Sequence, residues 1–154
     1  MSNMELIKKL RDSTGSGIVD CKKALSENNN DIDAAVKWLR EKGILKAQKK
    51  QDRETNEGVV SFYNNTSNTE FTVCKIKCET DFVAKNNDFL SFAESLSKAI
   101  HESKNINDMG TDKDLVNLKI KDKYLSDCLT DLISKVGENI QIVSYKKYYS
   151  EKSI

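Results

Sequence analysis

Neither sign of charge is in excess in this chain: 25 Lys and Arg face 24 Asp and Glu. Residues 1–56 carry 12 basic and 9 acidic groups, leaving 13 and 15 for the rest, so the broad basic stripe with which a nucleic-acid binder meets phosphates is missing. Histidine is nearly absent. The single one, His101, has no nucleophile signature near it from which a triad could be assembled, and the carboxylates are spread along polar faces, with no pair set in apolar surroundings as a tuned acid and base. The cysteines, Cys21, Cys74, Cys78 and Cys128, include no CxxC pair. Cys74 and Cys78 lie four apart on an expected strand, about 13 Å at 3.3 Å per residue, too far to share a metal. No run reaches the apolar length of a membrane span, and a helical pattern starts by Glu5 without a signal or transit sequence. These absences point away from an enzyme, a metal or cofactor protein, a direct nucleic-acid binder and a membrane protein. They leave a soluble binding protein with reduced thiols, expected in a bacterial cytoplasm or, after loss of a targeting peptide, an organelle matrix.

What is present divides the chain in four. Residues 1–43 read as three short helices, carried by Leu6, Ile7 and Leu10, then Ile18, Cys21 and Leu25, then Ile32, Ala35, Val36 and Leu39. Thr14-Gly15-Ser16-Gly17 separates the first two; it lacks the Gly-Lys-Ser/Thr ending of a phosphate loop and follows a helix, so it is a connector. Asn28 to Asp31 separates the next pair, and Gly43 is placed to cap the third helix. Residues 44–57 form a charged linker helix with Lys46, Lys49, Lys50 and Arg53, loosening near Thr55 and Asn56. RNA binding through this segment is disfavoured because no aromatic platform accompanies the charges. Residues 58–147 read as an α+β core. Gly58 to Tyr63 and Glu70 to Cys78 form a hairpin, a helix covers about 81–103, a second helix carries Tyr124 to Val136 with Gly137 as its stop, and Asn139 to Tyr145 closes a small three-stranded antiparallel sheet. Residues 148–154 complete a polar tail that begins at Lys146.

The junction Thr80-Asp81-Phe82-Val83-Ala84-Lys85-Asn86 is the most informative stretch. It sets an acid beside a large aromatic where a strand ends and a helix begins. Thr80 or Asp81 suits the open amides of a first helical turn. Two registers stay open. One unbroken helix puts Phe82 in line with Phe89, Ala93 and Leu96 and into the core, whereas a restart at Asn86, Asn87 and Asp88 leaves Phe82 at the rim.

Two segments, Leu10 to Leu25 (LRDSTGSGIVDCKKAL) and Glu79 to Asn86 (ETDFVAKN), together resemble the elongation factor Ts family. Val136-Gly137-Glu138-Asn139-Ile140 is a third, weaker match to its closing strand. The resemblance implies a ubiquitin-associated-like helical domain that docks on the GTPase domain of elongation factor Tu, with Arg11, Ile18, Val19 and Lys22 at contact positions. Ile18 and Val19 stand where methionines are more usual, and core packing remains open for Ile18, which is in register with Cys21 and Leu25. The resemblance further implies that the junction, Thr80, Asp81, Phe82, Val83 and Lys85, meets the partner beside its switch region and promotes GDP release, so that the chain binds both the GDP-bound and nucleotide-free partner. The chain resembles short members with a single core repeat, which raises the expectation of a homodimer through the sheet or its apolar surface. The competing expectation is a non-enzymatic adaptor that holds a translation or ubiquitin-like partner through the helical module alone.

Overall fold

The computed structural model describes residues 2–152; Met1 at the head of the first segment, and Ser153 and Ile154 at the end of the expected tail, lie outside the described residues. The chain forms two compact units. The first runs to Asp52 and takes in Leu129–Gly137; the second holds Arg53–Cys128 and the chain from Glu138 onward.

In the first unit α1 (Asn3–Thr14) begins with a capping box. The Ser2 hydroxyl accepts the Glu5 amide, and the Glu5 carboxylate accepts the Ser2 amide at 2.9 Å, which satisfies two otherwise open donors. Gly15, at φ 71°, ends α1 and donates its N–H to the Arg11 carbonyl at 2.8 Å. Helices α2 (Ile18–Glu27) and α3 (Ile32–Lys50) follow, the latter capped by the Asp31 carboxylate on the Ala34 amide at 3.0 Å. The apolar faces meet in a core of Ile7, Leu10, Cys21, Ala24, Leu25, Ala35 and Leu39. Asp20 ties α2 to α3 through Lys42 at 3.3 Å and Lys46 at 3.0 Å.

Gly43 does not cap α3, which continues to Lys50. The glycine is needed for close packing instead: a Cβ there would lie 2.9 Å from the Ser134 hydroxyl of α6 (Leu125–Val136). The expected linker is thus half helix and half irregular chain.

The second unit is built on an antiparallel sheet in the order β1-β2-β6-β3. Its strands are β1 (Glu57–Asn64), β2 (Glu70–Cys78), β3 (Met109–Gly110) and β6 (Ile140–Tyr149). The short hairpin β4 (Lys119–Ile120) and β5 (Lys123–Tyr124) stands apart from it. Strand β2 buries Thr72, Cys74, Ile76 and Cys78, against which α5 (Asn87–Glu102) sets Phe89, Ala93, Leu96 and Ile100. A bulge between Lys75 and Ile76 breaks the β2–β6 register. It changes the parity of β6, so Ile140 and Ile142 before it and Tyr145 and Lys147 after it are all buried.

Three expectations about this unit need correction. The closing strand does not stop at Tyr145; it runs to Tyr149 through residues expected to begin a polar tail. Lys147 is buried because its Nζ donates to the Ser103 carbonyl at 2.5 Å, and Tyr148 stacks on Phe71 with ring centroids 4.6 Å apart. The sheet also gains a fourth, two-residue strand, β3. The helix over 81–103 is broken into α4 (Asp81–Ala84) and α5. Asn86 makes the break, its Oδ1 accepting the amides of Asp88 at 2.9 Å and Phe89 at 3.3 Å. The restart therefore holds, and the unbroken register is excluded.

Candidate functional site

On the first unit, Gly17 places Ile18 and Val19 in the opening turn of α2. Ile18 is 48% and Val19 78% exposed, outside the buried core, which excludes core packing for Ile18. A groove of about 660 Å³ between α1 and α2 is lined by the apolar Met4, Ile7 and Ile18, the basic Lys8, Arg11 and Lys22, and the acidic Glu5 and Asp12. The first unit thus offers an apolar strip with edges of both charges. Asp20, beside it, points the other way: the ammonium of Lys46, then that of Lys42, hold its carboxyl below the usual carboxylate range.

On the second unit the junction between β2 and α5 is tightly organised around one exposed ring. Phe82 is 82% exposed, while its neighbour Val83 is buried. Thr80 caps α4, its hydroxyl accepting the Val83 amide at 3.4 Å. Its own donors turn inward, the amide to Glu138 Oε1 at 3.0 Å and the hydroxyl to Glu138 Oε2 at 2.6 Å. The exchange is reciprocal. Glu79 accepts the Asn139 amide at 3.2 Å and faces the Arg53 guanidinium at 3.6 Å, and Asn139 Nδ2 donates to the Arg53 carbonyl at 2.9 Å. Beneath them the Cys78 thiol donates to the Thr80 carbonyl at 3.2 Å. Burial, aided by the Glu138 carboxylate, pushes this thiol up to about 11, so it stays protonated and able to donate. Cys74, deeper in the sheet, is pushed up to about 12 by burial.

The expected contact residues therefore fall into two sets on different units. Arg11, Ile18 and Lys22 line one groove of the first, and Val19 is exposed beside Ile18. In the second, Asp81, Phe82 and Lys85 are exposed, with Asp81 and Lys85 paired at 3.7 Å, whereas Thr80 and Val83 anchor the turn from within. Glu79, Glu138, Asn139 and Arg53 complete the arrangement and were not singled out as site residues. Glu138 appeared only inside the third, weaker motif, and Asn139 there and as the start of the expected closing strand. His101 packs elsewhere in the second unit, its Nδ1 3.0 Å from the Thr72 hydroxyl and its ring against Tyr63.

A helical unit and an α+β unit, each with exposed apolar groups, define a two-unit α+β protein. The comparisons give that class its family. The family model described as elongation factor TS matches residues 79–154, and the model described as the N-terminal part of mitochondrial elongation factor Ts matches residues 1–50. The chain is 39% identical to the elongation factor Ts of Clostridium perfringens (strain SM101) over 155 residues, covering 100% of the chain and 50% of that protein. It is 39% identical to that of Aquifex aeolicus (strain VF5), covering 97% and 53%, and 37% identical to that of Clostridium botulinum (strain Eklund 17B). The chain belongs to the elongation factor Ts family. It spans about half the length of the curated relatives it matches.

Proposed function

We propose that the chain serves translation elongation by binding elongation factor Tu and promoting release of its GDP. The observation that carries this reading is Phe82: an aromatic ring 82% exposed on a turn whose flanking residues are buried or hydrogen-bonded. An exposed ring on a hydrogen-bonded turn is suited to insertion into a partner, because little has to be ordered on binding. The phosphates and magnesium of a bound nucleotide hold the switch segments of a GTPase in one arrangement. A factor that prefers the displaced arrangement must weaken nucleotide by the same factor by which nucleotide weakens it. Phe82 supplies the apolar insertion, and Asp81 and Lys85 flank it. On the helical unit Arg11, Ile18, Val19 and Lys22 hold the partner without acting on the nucleotide. The proposal places the chain where translation runs, in a bacterial cytoplasm or an organelle matrix, and involves no cofactor.

It extends to a homodimer. Val60 and Phe62, 65% and 66% exposed, pair with Lys75 and Val73 on the sheet face turned away from α5, and a second copy presents the same surface about a twofold axis.

Stopped-flow release of fluorescent GDP from elongation factor Tu tests the main reading. Acceleration by the wild-type chain, largely lost in Phe82→Ala, is the expected result. Binding without acceleration would favour the adaptor, in which the helical unit alone engages the partner.

A further inference from the structure

Thr80 has no polar atom left over. Its amide and hydroxyl both donate to Glu138, its hydroxyl oxygen accepts from Val83, and its carbonyl accepts from the Ala84 amide at 3.2 Å and from the Cys78 thiol. Phe82 follows two residues on, in a helix of only 4 residues. A helix that short cannot hold its own geometry, because nucleation costs more than one turn returns. Its shape must be imposed from outside, and the group that reaches it from a distant part of the chain is the Glu138 carboxylate, 58 residues along.

Resting on the exchange reading above, we infer that Glu138 is a positioning residue for Phe82. A threonine hydroxyl has one proton and rotates freely. By taking that proton at 2.6 Å in a charge-assisted bond, Glu138 turns the oxygen's lone pairs toward the Val83 amide and so sets the cap. The second carboxylate oxygen takes the Thr80 amide and fixes the backbone one residue before Asp81. A carboxylate accepts from both Thr80 donors. A glutamine in its place accepts the amide through its oxygen, but its NH2 can only donate to the hydroxyl oxygen, so the hydroxyl proton loses this acceptor and the NH2 competes with the Val83 amide for the lone pairs. Glu138 itself is not the exposed group; it acts through the turn, keeping the ring in one orientation before the partner arrives and sparing the cost of ordering it on binding.

The test measures fluorescent GDP release from elongation factor Tu across a concentration series of the full chain, as wild type, Glu138→Gln, Thr80→Val and Thr80→Ser, with Glu138→Gln repeated in a Phe82→Ala background. Glu138→Gln and Thr80→Val, which break the same contact from opposite sides, are expected to lower the maximal release rate about tenfold, the size of one lost hydrogen bond to a charged group. The half-saturating concentration should move much less, and Thr80→Ser, which keeps the hydroxyl, should stay near wild type. In the Phe82→Ala background Glu138→Gln should add nothing, which a general loss of stability would not produce. Amide hydrogen exchange on the free chain should show the Val83 amide losing protection in both weakened variants while the sheet amides keep theirs. A full maximal rate in Glu138→Gln and Thr80→Val, or a further tenfold fall on top of Phe82→Ala, overturns the inference. A wild-type chain that binds without accelerating release overturns the exchange reading and this role with it, an outcome told apart by the wild-type trace alone.

Discussion

An aromatic ring standing in water contributes little to its own fold, and Phe82 is 82% exposed. Phe82→Ala is therefore expected to leave the thermal midpoint within the range of a neutral surface change, below about 0.5 kcal/mol; a drop of several degrees in a melt would show the ring to be packed. Asp20 is different in kind. Its carboxyl is held below the usual value of 3.8 by Lys46 and Lys42, so the folded state favours the ionised form. The stabilisation is complete above that value and is lost as pH falls through the lower folded one. Melts of Asp20→Asn against wild type between pH 7 and 3 should show a deficit at neutral pH that shrinks in the acid limb. Single residues also mark where the sequence misleads. Gly43 has the composition of a helix stop, yet it is required by a side chain some ninety positions away, and no local pattern carries that information. Lys147 reads as solvent-facing until the Ser103 carbonyl is found beside it.

At the scale of elements, three helices, the hairpin and the Gly137 stop were legible because each rests on local chemistry: apolar spacing, an Asn-rich turn, a glycine at positive φ. The 81–103 region was legible only as an alternative, since Phe82, Phe89, Ala93 and Leu96 satisfy helical spacing in one register and Asn86 offers a cap in another. The cap prevails in the fold, and the Asn86 side chain is what it depends on. Asn86→Ala should cost about 1 kcal/mol in denaturant unfolding, and α5 should fray at its first turn, read by amide exchange at Asp88 and Phe89. The end of β6 was hidden because its alternation is carried across a bulge, which reverses the inside and outside positions halfway along. The site was partly legible in the same sense: the exposed ring and its threonine lie in one motif, but the carboxylate that organises them is separated by the whole of α5 and α6.

At the scale of the whole molecule, β1 is an edge strand whose outward face carries Val60 and Phe62. On the proposed dimer, sedimentation at working concentration should show a two-copy species that Phe62→Lys converts to one copy, because a lysine directly opposed across a twofold axis meets its own charge. A single-copy wild type would remove the dimer from the proposal and leave the exchange reading in place. That reading needs both units: the groove beside Ile18 and Lys22 gives attachment, and the turn beneath Phe82 gives the effect on nucleotide.

The reciprocal hydrogen bonds that join Glu79 and Thr80 to Glu138 and Asn139 also impose an order in time. They close a loop of nearly 60 residues, and contacts of that span form only after the chain between them has lost its freedom. During synthesis the N-terminal helices and the β1–β2 hairpin can settle while Thr80 still lacks its acceptor. The ring comes under control only once Glu138 has been made, so a chain that ends before it carries Phe82 without being able to aim it.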